Sequence, residues 1–199
     1  MLQCETKKME YSETKTSKIA LITKDIFEAL LVAFIAIFLL FTIGFKICTV
    51  NGGSMNNTLN HGDNLIILNC FYTPKENDII VFHDTKSLNE PLVKRVIATG
   101  DKWVRIDYDN AIVYVSEDDV FDENDIIDES QYVYFDRGHY SSHGIYEVFV
   151  PKGFIFVMGD NRNNSIDSRS QQIGLVDEKT ILGKVIFRIA PIDKMGIVQ

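Results

Sequence analysis

At 199 residues the chain is long enough for one main core with a small subdomain and too short for several large domains. Its 20 basic and 28 acidic residues give a formal charge of −8, and the excess is uneven: residues 1–49 carry six Lys and five Asp or Glu, leaving fourteen basic and twenty-three acidic residues beyond. An acidic body with no Lys/Arg patch is a poor partner for a phosphate backbone, so no nucleic-acid partner is expected.

Read in chain order, the first 25 residues form a Lys-bearing tail. Seventeen uncharged residues then follow from Ala29 to Phe45, ALLVAFIAIFLLFTIGF. As a helix they rise about 25 Å, against a hydrocarbon core of about 30 Å. Ile26 and Phe27 extend the run at one end. Lys46 can snorkel, which adds Ile47 and Cys48 at the other. A buried core helix and a cleaved signal peptide are the competing readings, but signal-peptide apolar regions are usually shorter. The expectation is a transmembrane anchor over 26–48. Lys7, Lys8, Lys15, Lys18 and Lys24 precede the span and Lys46 alone closely follows it, which puts the N-terminus in the cytoplasm and the body outside.

Beyond the anchor, apolar residues come in short β-rich runs: LIIL at 65–68, DIIVFH at 78–83, KRVIA at 94–98, AIVYV at 111–115, EVFV at 147–150 and FIFVM at 154–158. Turn residues separate most of them, and no long stretch keeps the i, i+3, i+4 spacing of an amphipathic helix. The prediction is a mainly β, antiparallel domain over 49–199, with an inserted subdomain at about 102–146. Glu117 to Glu129, EDDVFDENDIIDE, holds eight carboxylates but lacks the central Gly of an EF-hand loop, so it reads as a solvated loop. Cys4, Cys48 and Cys70 are odd in number with no CxxC spacing, which argues against a disulfide framework and a zinc site. His61, His83, His139 and His143 include no HExxH, and none is assigned chemistry.

Four segments carry the functional reading: GGSMNNTL at 52–59, HGDNL at 61–65, VKRVIATGD at 93–101 and GDNRNNSIDSR at 159–169. In order and approximate spacing they resemble the boxes of bacterial type I signal peptidases, membrane-anchored serine proteases with a lysine base. The resemblance covers nearly everything after Ala29, and the eleven residues from Gly159 to Arg169 are its most specific part.

The resemblance implies that Ser54 is the nucleophile and Lys94 its general base. An ordinary lysine has a pKa of about 10.4, so Lys94 must be desolvated to be neutral at pH 7. If LVKRVI is a strand, Leu92, Lys94 and Val96 share one face and Val93, Arg95 and Ile97 the other. The resemblance further suggests a structural ion pair between Arg95 and Asp167 with Arg169 nearby, and a Ser165 hydroxyl that orients the lysine amine. The Ser54 N–H is the first expected oxyanion donor. Some relatives have a serine hydroxyl where Gly52 stands, so backbone groups near Gly52 are expected to take its place. Asp63 and Asp160 read as turn caps. Met55 and Leu59 are open between a core role and a place in the cleft or at the lipid.

Asn57 stands where the family usually has Pro, which loosens the loop beside Ser54. The implied reaction is removal of signal peptides after small residues, Ala-x-Ala-like, through an acyl-enzyme. No metal or organic cofactor is implied. The expected partners are precursor proteins and membrane lipid, and a monomer is expected. Two rivals stay open: a self-cleaving repressor with similar Ser-Lys chemistry, which would not need the anchor, and an inactive membrane-tethered β-module that binds exported chains.

Overall fold

The computed structural model describes residues 23–39, 41–70, 72–84, 88–133 and 142–198. The Lys-bearing tail before Thr23 lies outside them. The chain divides into two compact units, Met1–Gly44 and Phe45–Gln199.

Among the described residues the first unit holds one helix, α1, Thr23–Gly44, of 22 residues, about 33 Å at 1.5 Å per residue. Its large apolar side chains, from Ile26 to Ile43, are 47–68% exposed. A helix that is apolar on every side and covered by no protein has the length and composition of a membrane span. Near its end the Thr42 hydroxyl donates to the Leu39 carbonyl at 3.0 Å, satisfying one of the carbonyls that the last turn leaves open.

The helix ends earlier than expected. Lys46, Ile47 and Cys48, assigned above to the anchor, lie in strand β1, Phe45–Thr49, which pairs antiparallel with β2, Asn64–Leu68. The reason is the ladder: these backbone groups find partners in β2, with Ile47 opposite Ile66 and Cys48 opposite Leu65.

The second unit is mainly antiparallel β. Its other strands are β3, Ile79–His83; β4, Pro91–Ala98; β5, Lys102–Asp107; β6, Ile112–Ser116; β7, Ile145–Val150; β8, Phe154–Met158; β9, Val176–Asp177; β10, Ile181–Ala190; and β11, Gly196–Ile197. An eight-stranded sheet runs β1-β2-β10-β3-β4-β8-β9, with β11 added to β10, and a three-stranded sheet runs β6-β5-β7. The smaller sheet spans Lys102 to Val150.

Periodicity explains the strands. In β2, Leu65 and Ile67 are buried while Asn64, Ile66 and Leu68 are half-buried, the period of two of a strand with one core face. In β3, four consecutive apolar residues are buried, as fits a strand flanked by β10 and β4 and covered on both faces. Val50, Met55, Leu59, Leu65, Ile67, Ile79 and Val81 share one core cluster, and Ile80, Phe82, Val96, Ile155 and Val157 share another.

Strand β10 is the longest, at ten residues, and borders both β2 and β3. Gly183, Lys184 and Arg188 interrupt its apolar pattern, which hides the strand in the sequence. Gly183 has φ +150° at a register shift against β3, and a Cβ there would lie 2.4 Å from the Leu68 carbonyl oxygen. Only glycine fits so close a backbone approach.

Candidate active site

Strand β4 places two charged side chains inside the protein. Lys94 is 3% and Arg95 1% exposed. Alternation sends them to opposite faces: Lys94 sits opposite Ile80 and Arg95 opposite Ile79. Ile80, Val96 and the half-buried Leu92 form one apolar cluster on the Lys94 side.

The loop between β1 and β2 brings Ser54 to Lys94. Its neck is closed by Val50 N–H on Asp63 O at 2.8 Å and Gly62 N–H on Val50 O at 2.9 Å. Met55 and Leu59 are fully buried and join the core, and Met55 also lines the small pocket that holds Ser54 and Lys94. One turn, Leu59 N–H to Met55 O at 2.8 Å, carries both. Asp63 caps the Asn60 N–H at 3.0 Å, as expected, and also receives Arg188 at 2.9 Å. Asn57 is exposed, and the Asn56–Asn57 peptide bond is cis.

At the centre, Lys94 Nζ donates to Ser54 Oγ at 2.8 Å and to the Val93 carbonyl at 3.0 Å. Burial pushes the Lys94 amine down to about 8, with Arg169 acting the same way, while Asp167 and Asp160 oppose the shift. A buried amine that loses its proton this readily can accept one from the hydroxyl it already touches.

The segment after β8 closes the site. Asn161 N–H donates to the Ser54 carbonyl at 3.0 Å, and Asn161 Nδ2 to the Gly53 carbonyl at 2.9 Å. Gly159 makes this approach possible: a Cβ there would lie 2.3 Å from Ser165 Oγ and 2.4 Å from the Ser54 carbonyl oxygen. The Ser165 hydroxyl therefore lies in the same small space. It is buried, and among the described residues it makes no hydrogen bond of good geometry, to Lys94 or to another group.

The expected Arg95–Asp167 pair does not form. Arg95 forks onto Asp160, with both nitrogen–oxygen contacts at 2.8 Å, and donates a third bond to the Asn77 carbonyl at 2.9 Å. Asp160 is thus an ion-pair partner rather than a simple turn cap, and it also accepts the Thr58 hydroxyl. Asp167 belongs instead to Arg169, whose Nε and Nη2 both lie 2.8 Å from it, and it accepts the Gly159 N–H at 2.9 Å. Burial pushes the Asp167 carboxyl up. The Arg169 guanidinium, with smaller help from the Gly159 N–H and the nearby Ser165 hydroxyl, outweighs this and holds it below the usual carboxylate value. Alternation gave Arg95 its face, but the turn-rich fold of 159–169 chose its partner.

The Gly52 N–H is already used, donating to His61 Nδ1 at 3.3 Å. Asn161, Thr58 and Arg162 were not singled out in the sequence. Asn161 and Arg162 stand inside the Gly159–Arg169 motif, which was the available signal; Thr58 had none. His139 falls outside the described residues. Among the described residues, no histidine hydrogen-bonds to Ser54 or Lys94.

Residues 23–190 match the family model described as signal peptidase, peptidase S26. A probable signal peptidase I-1 from Synechocystis sp. is 35% identical over 153 residues, 72% of this chain and 70% of that protein. Signal peptidase IB from Staphylococcus aureus is 32% identical over 189 residues, 84% of this chain and 91% of that protein. A solved signal peptidase I from Enterococcus faecalis V583 aligns with a TM-score of 0.41 at 24% identity, over 57% of this chain and 97% of that one. With the family model matching from Thr23 to Ala190 and two relatives above 30% identity across most of its length, the chain belongs to the signal peptidase family, peptidase S26.

Proposed function

We propose that this chain is a membrane-anchored endopeptidase that removes signal peptides from exported precursors, with Ser54 as nucleophile and Lys94 as general base. The observation that carries the reading is the 2.8 Å contact between Ser54 Oγ and a buried amine whose pKa is lowered to about 8.

Ser54 Oγ attacks the carbonyl carbon before the cleavage site while its proton passes to neutral Lys94. The Ser54 N–H stabilises the oxyanion. Collapse of the tetrahedral intermediate breaks the peptide bond, and Lys94 returns its proton to the leaving amine. Water then attacks the Ser54 ester and gives a proton to Lys94; collapse breaks the bond between Ser54 Oγ and the acyl carbon, Lys94 returns the proton to Oγ, and the signal peptide leaves with a new carboxylate. Each step uses groups of the chain, the substrate and water. We assign Ser165 the task of steering the amine, on the family resemblance and on its place beside Gly159, next to the Ser54 carbonyl. Arg95 with Asp160, and Arg169 with Asp167, hold the two sides of the 159–169 segment.

The substrate lies extended against a strand edge and presents small residues at the first and third positions before the cut. Helix α1 anchors the enzyme in lipid. Five lysines before it and one shortly after put the N-terminus in the cytoplasm and the β unit outside. A single copy carries the complete pair, so we propose a monomer.

The test is cleavage of a purified precursor with an Ala-x-Ala site by the full chain in detergent, beside Ser54→Ala and Lys94→Ala, with product termini read by mass spectrometry. Cleavage after the second Ala, lost at least a thousandfold in both variants while folding persists, is expected. Equal cleavage by all three would remove the pair from the mechanism, and no cleavage by a folded wild type would favour the binding module.

A further inference from the structure

The acidic region reaches the site. It runs back along β6, fastened by Ile127 N–H on Val113 O at 3.0 Å and by a bridge between Tyr114 and Ile126. The two residues that then reach inward, Glu129 and Tyr132, meet the two arginines on either side of the turn at Asp160.

Glu129 forks onto Arg162, with contacts of 2.7 and 2.5 Å and side chains 13% and 2% exposed. Arg162 Nε donates to the Gly159 carbonyl at 3.1 Å, and the Arg162 carbonyl accepts Arg169 Nη2 at 3.0 Å. Tyr132 lays its ring over the Arg95 guanidinium, 3.8 Å from carbon to ring centre, and its hydroxyl reaches Asn77 Oδ1 at 3.3 Å. Arg95 is the residue that forks onto Asp160. Between these two grips lie Gly159, Asp160 and Asn161, and Asn161 holds the backbone of Gly53 and Ser54.

Packing alone does not fix this segment. A cavity of about 410 Å³ opens beside Glu129 and Arg162, and another of about 460 Å³ beside Tyr132 and Arg95. With open space on both sides, the bidentate ion pair and the ring–guanidinium contact set where the segment ends.

We infer that Glu129 and Tyr132 are positioning residues for the reaction: together they brace the Gly159–Asn161 turn through Arg162 and Arg95, and so hold Ser54 against Lys94. The inference rests on the assignment of those two residues under Proposed function. It gives the insertion a task in catalysis, separate from binding substrate.

The experiment uses the full chain in detergent with Glu129→Gln, Tyr132→Leu and Tyr132→Phe. The first keeps shape and removes the charge that matches Arg162, the second removes the ring face, and the third keeps it. Two quantities are read: kcat and KM on the precursor, and the titration of the Lys94 amine followed by NMR of labelled lysine side chains. Losing the Glu129 charge would by itself favour the neutral amine, so a rise in that titration must come through geometry and hydration.

Glu129→Gln and Tyr132→Leu are expected to lose tenfold or more in kcat with KM within twofold, and to titrate Lys94 above the wild-type value of about 8 as water reaches a loosened site. Tyr132→Phe should match the wild type in both. A folded Glu129→Gln or Tyr132→Leu with wild-type kcat, or with an unmoved Lys94 titration, overturns the inference even if its melting temperature falls. Each variant is decisive alone, so misfolding of one leaves the other. If a folded wild type cleaves no precursor, the peptidase reading fails while the titration still decides the brace: a raised value in the variants sustains it, and coincidence with the wild type sinks it.

Discussion

On the proposed mechanism, Lys94 ties the chemistry to pH. With its pKa lowered from 10.5 to about 8, about a tenth of the amine is neutral at pH 7, against a few parts in ten thousand for an ordinary lysine. The acid limb of kcat/KM should therefore rise tenfold per pH unit and bend near pH 8, measured on a precursor whose own groups do not titrate there. The same shift costs stability. Below pH 8 both folded and unfolded chains hold the proton, and the folded state carries the full penalty, about 3 kcal/mol for this shift. Between 8 and 10.5 the unfolded chain binds more protons, so stability rises with pH. Above pH 10 the half-buried hydroxyls of Tyr72 and Tyr132, both pushed up mainly by burial, work in the opposite direction. Lys94→Met should melt higher than wild type at pH 7 and lose the rise between pH 8 and 10, as thermal unfolding at stepped pH would show.

At the scale of the elements, β4 and the turn after β8 are joined by Arg95 and Asp160, 2% and 0% exposed in their side chains. Arg95→Met leaves the Asp160 carboxylate buried without its cation. This should cost about 3–5 kcal/mol in unfolding experiments, with Arg95→Lys only partly restoring it because an ammonium cannot fork. Loss of less than 1 kcal/mol would mean that water reaches the pair. The elements also show what the sequence made readable. β2, β3 and β8 stood out because their apolar residues are contiguous, and Lys94 took its face from simple alternation. β10 did not, since a glycine bulge and two cations break its pattern, although its ten residues border both β2 and β3. The Arg95 partner was unreadable for a different reason. Asp160 and Asp167 stand seven residues apart in one motif, and only the folded turn decides which of them faces β4. Glu129 looked like one more carboxylate in a charged stretch, because nothing local announces a residue whose partner lies 33 positions away.

For the whole molecule, the apolar α1 and the family together mark a membrane-anchored protein. Alkaline carbonate should leave the chain in the membrane pellet, and protease added outside intact protoplasts should digest the β unit while sparing an N-terminal fragment. Protection of the β unit would reverse the proposed orientation. The placing of β10 also bears on when the enzyme comes to life. Ser54 and Lys94 are both synthesised in the first half of the chain, whereas Asn161 and the strand that closes the sheet between β2 and β3 come last. Ribosomes add about 5–20 residues per second. For several seconds the nascent chain therefore carries Ser54 and Lys94 without the turn that grips the Ser54 backbone and without the strand that completes the sheet between β2 and β3.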